Sequence, residues 1–470
     1  MVENIVKKEI NKNYKWTVLS CTTLGTLLMS LSGTMMFVAL PVITIDLNTS
    51  MEQVAWTLII YTLTVTVFVP SIGRVADMYG RKRLYILGMV IFTVGSFLCG
   101  VSNNCIQLIA ARFIQAIGGS FILANGTAIL TDTFPSQELG RALGLSVATF
   151  SLGMILGPTI GGLLTSYSWR WIFFFNIPTG VLGIVWAVTH LREIVKPKRK
   201  EKFDWAGTTT FTVGLFSILM AVTTGHIWGW LSPNIIFLST AGIILITAFI
   251  LIENNIENPM LDLTLFKTRF LAAALTSNFF NGLTQGSVIF LLTFYFQSIR
   301  GFLPVHTGVL LIPFAISMLI LSPISGLLSD RFGSRELSSL GFLIRAVGFF
   351  GLGHIGFETS VHLIIAYTII IGIGTGLYIS PNSSSIMSAV QPQRRGIAAG
   401  TRVMMNNAGM VGSIAISTAM TGASNLDGAS NSGFLYGVQH AFILFFFISL
   451  LGASVSYIRG NIVHQKSSNC

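Results

Sequence analysis

Three arginines, Arg112, Arg345 and Arg402, stand inside apolar runs long enough to cross a bilayer. A guanidinium carries a fixed positive charge, with hydrogen-bond donors and no acceptor. Such groups suit a neutral or anionic ligand better than a cation. Facing lipid at a bilayer centre, each would cost roughly 2.5–3.5 kcal/mol, so they must face the interior or snorkel to an interface. Other polar side chains share the apolar runs: Tyr61, Gln115, Asn125, Asn278, Asn281, Gln285, Tyr378, Asn382, Asn406 and Asn407. Each taken singly serves equally well as a helix–helix hydrogen bond or as a ligand contact. Acids are placed differently. Asp77, Asp132, Glu253, Asp262 and Asp330 fall near run ends on one side and Asp46 near the other, so none sits at a helix centre. The chain shows no phosphate-binding loop, catalytic triad or zinc-ligand spacing, and its four cysteines follow neither a disulfide nor a metal pattern. An enzyme, a cofactor and an ATP-driven pump find no support here, and the loops are too short for the soluble domain of a sensor.

The elements that must position these groups are membrane helices. Of the 470 residues, 52% are hydrophobic and 10% charged, against about 25% charged in soluble domains. The mean hydropathy is +0.74. The net charge of +11 lies in short loops, where topology explains it better than nucleic-acid binding. Spans of about 20 apolar residues are read at 16–45, 53–73, 84–101, 106–131, 142–166, 171–191, 270–298, 307–328, 337–357, 363–390, 396–421 and 434–458. The run 205–252, broken at Gly225 to Asn234, supplies two more, spans 7 and 8. The fold class is all-α membrane protein with fourteen spans. Alternation then places 23 of the 28 Lys and Arg on the side of the termini, two (Arg170 and Arg300) opposite, and three within helices. By the positive-inside rule both termini are cytoplasmic.

The stretch Gly73-Arg-Val-Ala-Asp77-Met-Tyr-Gly80-Arg81-Lys-Arg83 follows span 2, and Gly326-Leu-Leu-Ser-Asp330-Arg-Phe-Gly333-Ser-Arg335 follows span 10. Two further matches keep the register. Ala124-Asn125-Gly126 pairs with Pro381-Asn382-Ser383, and Pro135 with Gly140 to Gly144 pairs with Pro392 and Gly396 to Gly400. A duplication of six spans displaced by eight implies an inserted pair, spans 7 and 8. The expected division is a tail at 1–15, a six-helix bundle at 16–192, a basic linker at 193–204, the inserted pair at 205–253, a linker at 254–269, a second six-helix bundle at 270–460 and a tail at 461–470. Internal repeats of this kind are typical of secondary transporters.

These features resemble the major facilitator superfamily, in particular its fourteen-helix drug:proton antiporter branch, over nearly the whole chain. The resemblance implies two pseudo-symmetric six-helix bundles plus two inserted helices. It implies a proton-coupled exporter of drugs or other small molecules working by alternating access. The alternative is an exporter of a specific neutral or anionic metabolite, with or without proton coupling. Gly73, Asp77, Gly80 and Arg81, with Gly326, Asp330, Gly333 and Arg335, resemble the family's gating loops, which latch the cytoplasmic ends of the halves. Gly153, Gly157, Pro158, Gly161 and Gly162 resemble its antiporter motif, a bare, bendable face suited to close helix contact. Trp169-Arg170-Trp171 with Asn176, Pro178 and Gly180 resembles a signature of the branch and reads as structural anchoring. Arg112 with Gln115, Gly118 and Gly119 resembles the family's helix 4 motif. In span 1, Leu31 to Pro41 matches a family stretch in which Ser32 holds the place of a common Asp. Cavity and coupling candidates are therefore Arg112, Gln115, Asn125, Ser32, Tyr61, Asn278, Asn281, Tyr378, Asn382 and Asn406. Expected partners are a small-molecule substrate, protons as the coupling ion and the lipid bilayer. No cofactor, metal or nucleic acid is expected, and the protein reads as a monomer of the plasma membrane.

Overall fold

A computed structural model describes residues 12–134, 136–193, 204–256, 268–390, 395–421 and 431–460. The two expected linkers and both tails lie largely outside the described residues. Among those described, every regular element is helical. The first half contains α1 (Lys12–Asp46), α2 (Met51–Tyr79), α3 (Arg81–Gly100), α4 (Cys105–Thr133), α5 (Ser136–Tyr167) and α6, in two pieces, Trp171–Phe174 and Asn176–His190. Two further helices, α7 (Trp205–Trp228) and α8 (Pro233–Glu253), follow in sequence. The second half contains α9 (Arg269–Phe294, continued by a π-helical turn Tyr295–Ile299), α10 (Pro304–Phe332), α11 (Ser334–Leu352), α12 (Val361–Ser388), α13 (Arg395–Thr421) and α14 (Asn431–Ile458). Twelve of these are long and apolar enough to cross a membrane. The other two, α11 and α13, carry Arg345 and Arg402.

Local chemistry sets the helix ends. Ser50, Asn104, Asp204 and Ser232 cap α2, α4, α7 and α8 by accepting from the backbone N–H three residues on. The break in α6 follows from Pro178, which has no N–H to give the Phe174 carbonyl. One residue alone separates α2 from α3, and one separates α10 from α11. These are Gly80 at φ +102° and Gly333 at φ +87°, a region that favours glycine. The repeated charged turn is thus repeated in backbone shape as well as in sequence.

Packing repeats too. The contacts of α3 on α4, α2 on α4 and α1 on α5 recur as α11 on α12, α10 on α12 and α9 on α13. The registers agree residue by residue. Gly118 lies against the backbone of Gly88 and Phe92, and Gly374 lies against Gly341 and Arg345. Gly153 faces Ser30 and Leu31, and Gly409 faces Gly282 and Leu283. On this register Thr284 stands where Ser32 does and Arg345 where Phe92 does, while Arg112 has Thr368 as counterpart.

The halves meet at the end away from the termini. Gly162 of α5 lies against Pro304 and Val305 of α10, and Gly308 of α10 against the Pro158 carbonyl. Gln297 Nε2 donates to the Val38 carbonyl at 2.9 Å. Near the termini end, Gly73 of α2 and Gly400 of α13 face open space. The described close approaches across the seam thus gather at the far end, and these two glycines near the termini end meet none. Helix α8 packs on α7, and α7 packs on both α2 and α13, across the seam between the halves.

Candidate substrate-recognition site

In the first half, α4 carries Arg112 and Gln115 three residues apart, hence on one face. Arg112 is fully buried. Its Nε donates to the Thr57 carbonyl of α2 at 3.2 Å and its Nη1 to Gln115 Oε1 at 2.6 Å. Its guanidinium carbon lies 4.2 Å from the centre of the Tyr61 ring. Gln115 Nε2 donates onward to Ser96 Oγ of α3 at 2.7 Å and to Ser32 Oγ of α1 at 3.3 Å. Gly95 makes room for this, because a Cβ there would fall 2.6 Å from Gln115 Cα. Arg112 Nη2 and the Tyr61 hydroxyl are buried without a hydrogen-bond partner among the described residues.

The second half builds its cluster from other helices. Arg345 of α11 is also fully buried. It donates to Thr284 Oγ1 and, at 2.9 Å, to Asn281 Oδ1, both on α9. Asn281 Nδ2 donates to Asn406 Oδ1 of α13 at 2.9 Å and, at 3.4 Å, to Gln285 Oε1. Phe342 and Tyr378 stack near the guanidinium, with ring centres 4.8 and 5.8 Å away. Arg345 Nε has no described partner. Hydrogen bonds from a charged donor are worth roughly 1.5–3 kcal/mol each, which offsets part of the cost of burial. No described carboxylate completes that offset, since the described ion pairs are Lys15–Glu138, Arg81–Asp132 and Arg170–Asp46, all near helix ends.

A third polar group lies nearer the termini. The Tyr378 hydroxyl and Ser277 Oγ are 3.0 Å apart. Asn382 accepts from Arg459 Nη1 at 2.9 Å and donates to the Ala274 carbonyl at 3.2 Å. Arg459 also reaches Ser334 Oγ at 3.2 Å. Asn278 Nδ2 donates to the Arg402 carbonyl at 2.6 Å. Thus Asn278, Asn281, Tyr378, Asn382 and Asn406 are drawn into connected networks. Asn125 is not: its Nδ2 turns back to the Phe121 carbonyl of its own helix. Arg402 and Asn407 are half-buried. Sequence reasoning passed over Thr284, Ser277 and Arg459. The repeat register marks Thr284 as the counterpart of Ser32, whereas Arg459 reads as an ordinary basic residue after the last span.

The remaining motifs take positions of their own. Gly153, Gly157 and Gly161 fit α5 against Ser30, Thr34 and Met35 of α1, and Gly162 meets α10 across the seam. Arg81 pairs with Asp132 at 2.6 Å, and the backbone N–H groups of Arg81 and Lys82 donate to the Glu193 carboxylate at 2.9 and 3.1 Å. These bonds of the first charged turn stay within its own half. In the second turn Gly326 faces Ser380, and Arg335 lies 3.8 Å from the Tyr457 ring. The side chains of Asp77 and Asp330 lie outside the described residues. At the far end Trp169 Nε1 and Arg170 Nη1 donate to Asp46 at 2.7 and 3.0 Å, pinning the start of α6 to the end of α1.

The whole arrangement has known counterparts. The family model described as Major Facilitator Superfamily matches residues 22–413 and 274–467. The riboflavin transporter RibZ of Clostridioides difficile is 32% identical over 383 residues, covering 81% of this chain and 83% of its own. Multidrug resistance protein 3 of Bacillus subtilis is 31% identical over 389 residues, covering 82% and 76%. Among solved structures, a bacterial homologue of the human lysosomal transporter Spinster, inward-facing and occupied, superposes with a TM-score of 0.67 at 16% identity, over 96% of this chain and 97% of that one. The chain is a membrane transporter of the major facilitator superfamily.

Proposed function

We infer that the protein is a secondary active exporter that works by alternating access and takes neutral or anionic small molecules. The observation that carries the substrate class is the pair of fully buried arginines, Arg112 and Arg345, neither in an ion pair with a described carboxylate. A lipophilic cation would enter a field of the wrong sign, and a low-dielectric interior strengthens that repulsion. A neutral molecule rich in carbonyl oxygens, or an organic anion, would instead satisfy the guanidinium groups. The RibZ relative supports a neutral heteroaromatic substrate of this type. The multidrug relative supports a broader range.

Alternating access is supported by close approaches across the seam at the far end and none at Gly73 and Gly400 near the termini, which we read as a central cleft open toward the termini. The excess of Lys and Arg on the termini side supports a cytoplasmic open end, with the plasma membrane as the proposed location. On that reading the structure is the inward-open state, and the family's gating loops hold the opposite, outward-open state closed at the cytoplasmic end. With Ser32 at the place of the family's helix 1 acid, and no carboxylate at a span centre among the described residues, the family's helix 1 coupling site does not carry over to this chain. Secondary active export then draws on a coupled ion gradient or, for an anionic substrate, on the membrane potential.

The test is initial-rate transport by the purified protein in liposomes under imposed pH and voltage gradients, with riboflavin and ethidium as probes. Riboflavin transport that responds little to the pH gradient is expected. Robust pH-driven ethidium export without riboflavin transport would refute the reading.

A further inference from the structure

The clusters around Arg112 and Arg345 share a property deeper than charge: the hydrogen bonds in each run in one direction. Arginine only donates, so it dictates which way a neighbouring amide turns. Arg112 Nη1 donates to Gln115 Oε1, which leaves the Gln115 Nε2 end to donate to Ser96 Oγ and Ser32 Oγ. Ser32, with its oxygen accepting, keeps its own O–H to give away. Arg345 Nη2 donates to Asn281 Oδ1, which leaves Asn281 Nδ2 to donate to Asn406 Oδ1. Asn406, accepting through oxygen, presents its NH2. Two relays that begin at non-equivalent places in the two halves therefore end alike, in a donor.

Both ends lie on helices that border the seam. Ser32 lies on α1, which packs against α9 and α10 of the opposite half. Ser32 itself is 3% exposed, and the next residue, Gly33, faces open space. Asn406 lies on α13, which packs against α2 across the seam, and it is half-buried. Its amide nitrogen makes no other hydrogen bond among the described residues. The guanidinium groups at the roots are not saturated either, since Arg112 Nη2 and Arg345 Nε are buried without a described partner.

We propose that the two arginine-anchored relays, Arg112–Gln115–Ser32 and Arg345–Asn281–Asn406, present only hydrogen-bond donors to the central cleft, so that substrate is selected by acceptor oxygens, carbonyl or carboxylate, contacted from both halves at once. This rests on the reading of the chain as a carrier of neutral or anionic molecules and specifies what that carrier recognises. Arg112 and Arg345 are positioning residues, acting through the amides. The relay makes a prediction that simple charge does not. Asn281→Asp keeps the shape and still accepts from Arg345, but it has no hydrogen to give Asn406. The Asn406 amide must then turn over, donate to the new carboxylate and show its oxygen to the cleft. Gln115→Glu does the same to Ser32 in the other half.

The experiment measures KM and kcat for riboflavin and ethidium in liposomes, with thermal stability of each variant in detergent. Arg345→Met and Arg112→Met are each expected to raise the riboflavin KM about three- to tenfold, the worth of one hydrogen bond to a neutral group, with kcat little changed. Asn281→Asp and Gln115→Glu are expected to raise it similarly while lowering the ethidium KM. Variants that lower thermal stability and kcat alike, with both KM values unchanged, would make the clusters structural and overturn the proposal. So would Asn281→Asp behaving as Asn281→Leu toward ethidium. Unmodified protein that moves ethidium but not riboflavin would instead refute the underlying carrier reading and the relays with it. Riboflavin transport indifferent to all four variants would refute the relays alone.

Discussion

The two halves of this transporter share helix order, packing partners and register, yet they place their buried cations differently. The first half takes Arg112 from α4, where the second has Thr368. The second takes Arg345 from α11, where the first has Phe92. The polar node served is nevertheless the same in both, Ser32 in α1 and Thr284 in α9. Tyrosines show the same pattern. Tyr85 of α3 fills the space beside Gly25 of α1, and in the second half Tyr378 of α12 approaches Ser277 of α9 from the other side. The repeated packing and register carry the scaffold and the position of the node. Which neighbouring helix supplies the long side chain was free to differ, because only the tip of that side chain has to arrive.

This comparison can be broken by adding the missing counterpart. Phe92→Arg puts a second cation into the first half at a fully buried position. It should cost roughly 2.5–3.5 kcal/mol, read as a collapse in folded yield and thermal stability. Arg345→Phe copies the first half into the second and should cost only about 1 kcal/mol, because the burial cost of the cation is removed together with its hydrogen bonds to Thr284 and Asn281. Equal damage from both would show that the halves do not differ as described.

The seam gives the next effect. Gly162→Val places a methyl group where a Cβ already falls 2.5 Å from the Pro304 carbonyl oxygen. We expect transport to fall below about a tenth, more than about 1.4 kcal/mol in rate, with the protein still in the membrane. Gly153→Val, on the same helix but facing α1 of its own half, should instead show its damage as lost stability. Smallest is Glu193→Gln, which weakens the charge-assisted cap on the backbone N–H groups of Arg81 and Lys82. A loss of about 1 kcal/mol is expected, measured as a shift of a few degrees in thermal stability.

Much of this was legible in the sequence. An all-α membrane fold of fourteen helices and the repeated turn follow from hydropathy and spacing, because a bilayer leaves so few ways to satisfy a backbone. Partner identity was not legible. Gln115 and Asn281 stand out as polar, but their orientation is set by helix rotation and by where an arginine tip arrives, which a linear sequence does not record. Arg459 was hidden for another reason. It sits one residue past α14 and counts as a loop base, yet the chain folds it back to Asn382 and Ser334. Glu193, one of the few acids near the first charged turn, likewise gave no sign that it caps α3.

The central claim is that both halves turn donors and positive charge toward one substrate. Fluorescein and rhodamine 123 share a xanthene frame and differ in the sign of their charge, so their initial transport rates in liposomes at a fixed gradient compare charge with shape held nearly constant. The account predicts that the anion is carried at least about tenfold faster, a difference of about 1.4 kcal/mol. Faster transport of the cation would contradict it.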